Sequence, residues 1–165
     1  MKSRFALALL VMLAGAFVAR AEHASIDLQV SQLDPATGAT RHERASSDQE
    51  PPPGGNQRRP VLKLKARQPL TLQFIYQNTY PHGDVRDASV QYFAVPVDKI
   101  GQKSIPDLKD AVTQGKFTMN FKPKAKVGAR LTFTIQKPGI YLLRVQSDNT
   151  NSDHEHFSAI DLVVE

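Results

Sequence analysis

Two histidines stand two residues apart in Asp153-His154-Glu155-His156, and they are the groups in this sequence best suited to hold a metal ion. In a strand, side chains two residues apart share a face at a separation of about 7 Å. His154 and His156 would then offer two imidazoles to one zinc or copper ion, with Glu155 turned away. On a helix the same spacing sends them to different faces. A third ligand is required, and His82, in the turn of "NTYPHGDVRD", heads a set that also holds His23, His42, Asp148 and Asp153. His23 also suits an amino-terminal copper site, as an early histidine does in any chain. The competing reading needs no metal. His154, His156 and Ser158 keep step with Ile160, Leu162 and Val164, whose alternation with Asp161 marks the inward face of a final strand. Both histidines then point to the rim of an interior, where they must be satisfied by neighbours or by a metal. The expectation is a structural pair and no cofactor, with zinc or copper held by His154, His156 and His82 as the alternative.

Other chemistry has less to stand on. "SDNTNSD" (Ser147 to Asp153) alternates oxygen-bearing side chains, but it lacks the glycine and spaced glutamate of a calcium loop and reads as a hairpin turn. No glycine-rich phosphate loop, G-x-S-x-G or H-E-x-x-H occurs, and cysteine is absent. Asp84, Asp87, Asp107 and Asp110 are scattered through turn-like segments. There is no tryptophan, and Tyr76, Tyr92, Phe117, Phe121 and Phe133 all have core-facing parity, leaving Tyr80 as the loop-borne aromatic. No enzyme is expected.

The N-terminus sets the compartment. Lys2 and Arg4 precede an apolar run from Phe5 to Val18, too short to span a bilayer comfortably, and Ala19-Arg20-Ala21 offers a signal-peptidase site. Residues 1–21 therefore read as a signal peptide, and the mature chain as periplasmic or secreted, without a membrane span. The full chain carries 21 Lys and Arg against 16 Asp and Glu; losing Lys2, Arg4 and Arg20 leaves 18 against 16. Near neutrality removes the case for a nucleic-acid partner. Another envelope or secreted protein is the expected kind of partner.

The elements that must position these groups are strands. "SIDLQV" (Ser25 to Val30) alternates with period two, so residues 22–33 form a first strand region. Residues 34–60 contain no Leu, Ile, Val, Phe or Tyr and are rich in Pro, Gly, Ser and charge, the composition of a flexible loop. From Val61 to Glu165 strands recur: Val61 to Arg67, Leu70 to Gln77, Ser89 to Val97, Lys116 to Phe121, Ala129 to Ile135, Ile140 to Gln146 and Phe157 to Val164. Pro96 puts the end of its strand at an edge or a bulge. Ile105 to Gly115, with Leu108 and Val112 four apart, allows a helical turn or two. The pattern predicts an all-β, antiparallel sandwich in residues 61–165.

Within it, "TFTIQKPGIYLLRV" (Thr132 to Val145) resembles the late strands of immunoglobulin-like and fibronectin type III-like domains. Pro138, Gly139 and Tyr141 match the turn and tyrosine of that pattern. The resemblance implies that the Tyr141 hydroxyl bonds to backbone upstream. The chain also resembles uncharacterised exported bacterial proteins that end in similar "HEHF…DLVV" strands. These resemblances imply architecture alone; the sandwich strands, the basic loop and the missing catalytic set point to an exported, non-enzymatic module that binds another protein or serves the envelope as an accessory.

Overall fold

Alternation with period two becomes nine strands among the residues that the structure, a computed structural model, describes: 24–46, 59–148 and 156–165. They are β1 (Ala24–Leu33), β2 (Thr40–Ser46), β3 (Val61–Leu64), β4 (Pro69–Asn78), β5 (Val85–Val97), β6 (Thr113–Phe121), β7 (Lys126–Thr134), β8 (Gly139–Asp148) and β9 (His156–Val164). Four form one sheet in the order β2-β1-β4-β7, here sheet A, and five form sheet B in the order β3-β9-β8-β5-β6. With β4 and β7 adjacent in one sheet, and β5, β8 and β9 adjacent in the other, the two sheets pack as an all-β sandwich. All pairs are antiparallel except β3 with β9, which run parallel from Val61↔Asp161 to Leu64↔Val164. That pair departs from the all-antiparallel expectation because β3 enters from the far sheet instead of returning through a hairpin.

The inward faces carry the predicted residues. Ile26, Leu28 and Val30 of β1 and Leu70, Leu72, Phe74 and Tyr76 of β4 pack against Val90, Leu143, Val145, Ile160 and Leu162 of sheet B. Tyr76 and Phe121 bring their rings to 4.6 Å. Tyr141 makes the expected corner: its hydroxyl donates to the Lys137 carbonyl at 2.9 Å, across a turn where Gly139 has φ +153°. Pro96 sits where β5 has already lost β6, whose pairing stops at Ala94↔Thr113, so its missing N–H removes no rung there.

Residues 34–60 do not form a featureless loop. Thr40–Ser46 is strand β2, paired with β1 from Leu33↔Thr40 to Asp27↔Ser46. An edge strand is held by backbone hydrogen bonds on one side and needs little apolar side chain, so composition concealed it. The turn before it is closed by Asp34, whose amide donates to the Ala39 carbonyl and whose carbonyl accepts from Gly38. The Asp34 carboxylate accepts from Ala36 N–H at 3.0 Å and meets Lys65 Nζ at 2.9 Å. Next to it, buried Gln32 donates to the Lys65 and Gln68 carbonyls and accepts from Lys65 N–H, acting as a side-chain rung between β1 and the β3–β4 turn. The rest of that segment, 47–58, lies outside the described residues, as do residues 1–23, where the signal peptide is expected. Between Ile105 and Gly115 only Leu108–Asp110 is helical, a 3-10 turn capped by Asp107, and β6 starts at Thr113.

Sheet B has a second apolar layer on its outer face. Phe93, Val95, Leu142 and Ala159 are buried there under Leu108 and Ala111 of the β5–β6 connection. Asp161 lies on that same face, with no exposure at all. Arg59 Nη2 reaches its Oδ1 at 2.9 Å, Gly101 N–H donates to its Oδ2 at 2.8 Å, and its own amide donates to the Pro60 carbonyl. Gly101 has φ +74°, a conformation that favours glycine, and this aims its N–H at the carboxylate. The Arg59 guanidinium also donates to the Gln102 carbonyl at 2.8 Å. Asp161 therefore does not face solvent, as alternation alone suggested. It anchors the connection that covers this face.

Replacing one member of the Asp161–Arg59 pair strands a buried charge, so Arg59→Met should cost about 3–5 kcal/mol in urea unfolding, whereas the exposed Lys122–Asp84 pair is worth at most about 1 kcal/mol. A Lys122→Met variant as unstable as Arg59→Met would remove the anchor from this account. Tyr141→Phe should cost about 1 kcal/mol through its lost hydrogen bond, and equal midpoints would make the hydroxyl idle. Lys65 first, then the Ala36 N–H, hold the Asp34 carboxyl below its ordinary 3.8. The folded state thus favours the ionised form, so its contribution is present above pH 3.8 and is lost as pH falls through the lowered value. Asp34→Asn should accordingly melt earlier than the parent at pH 6, and the gap should narrow on acidification below pH 3.8.

Candidate functional site

The predicted metal residues are not assembled among the described residues. His156 opens β9 on its inner face and is 5% exposed, opposite fully buried Ser147 of β8. Two residues on, the Ser158 hydroxyl donates to the Ile26 carbonyl of the facing sheet at 2.6 Å. Tyr76 belongs to this polar end of the interior: burial pushes its hydroxyl up to about 12, against an opposing contribution from Ser147. His156 is thus turned into the sandwich, as parity required. His82 is exposed on the β4–β5 loop, which Asn78 organises by donating to the Gly83, Phe121 and Lys122 carbonyls and accepting from Tyr80 N–H. His42 lies elsewhere, exposed on β2 opposite Ser31. No group of three His, Cys, Asp or Glu among the described residues has a geometry that holds a metal. His154, with His23 and Asp153, lies outside the described residues.

A different site is built by the outer face of sheet A. There the register sets Arg44, Gln29, Gln73 and Arg130 in one row across β2, β1, β4 and β7. The next row is Ser46, Asp27, Ile75 and Gly128. These two rows line a groove of about 740 Å³. At Gly128 nothing projects, and Ile75 beside it is 44% exposed, so the floor dips between the arginine side chains at either edge. On the other flank, Ser31, Thr71 and Thr132 continue the face as hydroxyls, with Thr71 and Thr132 at 3.3 Å. Sheet twist gives such a face its concavity. The centre of the face has no free backbone rungs, because β1 pairs on both sides and so does β4.

Sequence reasoning missed this groove because one of its four strands, β2, read as loop. A signal was present: Asp34-Pro35-Ala36-Thr37-Gly38 directly after an alternating strand is a hairpin turn composition. Arg44 and Arg130, 86 positions apart, gave no sign of belonging together.

No family model matches the chain, and no curated protein matches it. Among solved structures, a family 123 glycoside hydrolase from Clostridium perfringens aligns over 64% of this chain and 23% of its own, with 11% identity and a TM-score of 0.42. A Niemann-Pick type C2 protein from the Japanese carpenter ant aligns over 62% of this chain and 79% of its own, with 11% identity and a TM-score of 0.38. A red sea bream transglutaminase aligns over 86% of this chain and 27% of its own, with 14% identity and a TM-score of 0.40. The chain thus spans well under two thirds of the hydrolase and the transglutaminase. Likenesses at this level assign no activity to it.

Proposed function

We propose that this protein is an exported, non-enzymatic binding module of the cell envelope, with its ligand seat on the outer face of sheet A. One observation carries the reading. On the outer face of sheet B the chain's own β5–β6 connection covers Phe93, Val95, Leu142 and Ala159, while among the described residues that of sheet A is left open as a groove of about 740 Å³. Its lining groups are two arginines, two carboxamides, the Ser46 hydroxyl and one carboxylate, Asp27, a set suited to binding and orienting a ligand. Export rests on the basic head, the apolar run and the Ala19-Arg20-Ala21 site.

A side chain at Gly128 fits without strain, since its Cβ would lie 3.7 Å from the nearest atom, the Phe74 carbonyl oxygen. Gly128→Leu should therefore fold normally and fill the groove. A benzophenone amino acid at Gln73, photoactivated in cells exporting the protein, should give a discrete covalent adduct that Gly128→Leu suppresses. The same probe at Thr118, exposed on β6, should give none. Adducts of equal yield from both positions would overturn the assignment of this face.

A further inference from the structure

Resting on the reading that this groove is the ligand seat, we infer that its ligand is an acidic polysaccharide whose carboxylates are gripped by Arg44 and Arg130. The first argument is charge. The groove lining holds two arginines and one acid, Asp27, and Lys126 adds a further cation on the same face of β7, opposite Gln77. None of these cations is drawn off by an ion pair with Asp27 among those the structure shows.

Spacing is the second. Arg44 and Arg130 end a row that crosses four strands, three inter-strand steps or about 14 Å at the backbone. Between them lie Gln29 and Gln73, which both donate and accept. A ligand that fits this row carries anionic groups in series with neutral hydrogen-bonding groups between them. Planar guanidinium forks suit carboxylates, and carboxamides suit sugar hydroxyls.

The backbone supplies the third. An extended acidic peptide gains affinity on a sheet by pairing with a free edge. The groove instead lies over the middle of sheet A, where β1 and β4 are paired on both sides. Recognition there must come from side chains alone, the mode open to a hydroxylated polymer. No aromatic side chain stands on the two outward rows to stack on a neutral sugar, so charge must provide the grip.

Calorimetry on the mature chain with oligogalacturonate as probe, at 50 and 300 mM salt, tests the inference. Dextran serves as the neutral polymer and poly-L-glutamate as the acidic polypeptide. Oligogalacturonate should bind and weaken with salt, and Arg44→Gln and Arg130→Gln should each reduce affinity about tenfold or more at an unchanged melting temperature. Lys122→Gln, on the β6–β7 turn and outside the groove, should have little effect. Absence of oligogalacturonate binding, loss no greater in the arginine variants than in Lys122→Gln, or equal binding of poly-L-glutamate would each overturn it. Dextran binding abolished by Gly128→Leu, with oligogalacturonate inert, would refute the acidic ligand while preserving the groove as a binding seat.

Discussion

A carboxylate with no solvent exposure needs compensation, and Asp161 obtains it from two directions, while its backbone is tied in a third. Arg59 supplies the counter-charge, Gly101 an N–H, and the Pro60 carbonyl receives the amide of the same residue. Removing such a carboxylate from water costs several kcal/mol, so the arrangement persists only if these partners are held in place. Holding them fixes three pieces of chain that are far apart in sequence: the approach to β3, the start of the β5–β6 connection, and the centre of β9. The parallel pairing of β3 with β9 begins at the same residue, Val61↔Asp161. The layer of Phe93, Val95, Leu142 and Ala159 then stays closed beneath the connection, and Arg144 packs 4.0 Å from the Phe157 ring beside it.

That closure gives the sandwich two unlike outer surfaces. Sheet B spends its outer face on internal packing, in effect making a third layer. Sheet A presents hydroxyls, carboxamides and arginines on a face whose strands all pair within the sheet. A loop-borne site, the usual one for an immunoglobulin-like sandwich, would lie at the pole occupied by His82, whereas the groove lies between the two poles of the sandwich. The histidines that first suggested chemistry divide accordingly: His156 belongs to the interior and His82 to the surface.

Inward alternation was legible in β1, β4 and β8, because a half-buried strand must repeat every second residue. Tyr141 was legible through the resemblance of the Pro138-Gly139 turn and its tyrosine to immunoglobulin-like late strands, a local pattern whose bonding partner lies only four residues away. Asp161 was not, since alternation reports the parity of a side chain and not whether another segment lies above it. β2 escaped because pairing at an edge is a backbone matter and its Arg41, His42, Glu43 and Arg44 look like a solvated run. The groove escaped with it, being a property of register across four strands.

One feature of the topology also governs time. β9, ninth in chain order, is inserted between β3 and β8, and Ser158 within it reaches back 132 residues to Ile26. A chain emerging from its N-terminus therefore holds β3 without its neighbour in sheet B until nearly every other strand exists. Closure entropy over such separations must be met before the contacts return it, which makes for slow folding. Until β9 arrives, the sandwich has no completed sheet B with which to lock itself shut, which is the delay that the proposed export across a membrane would need.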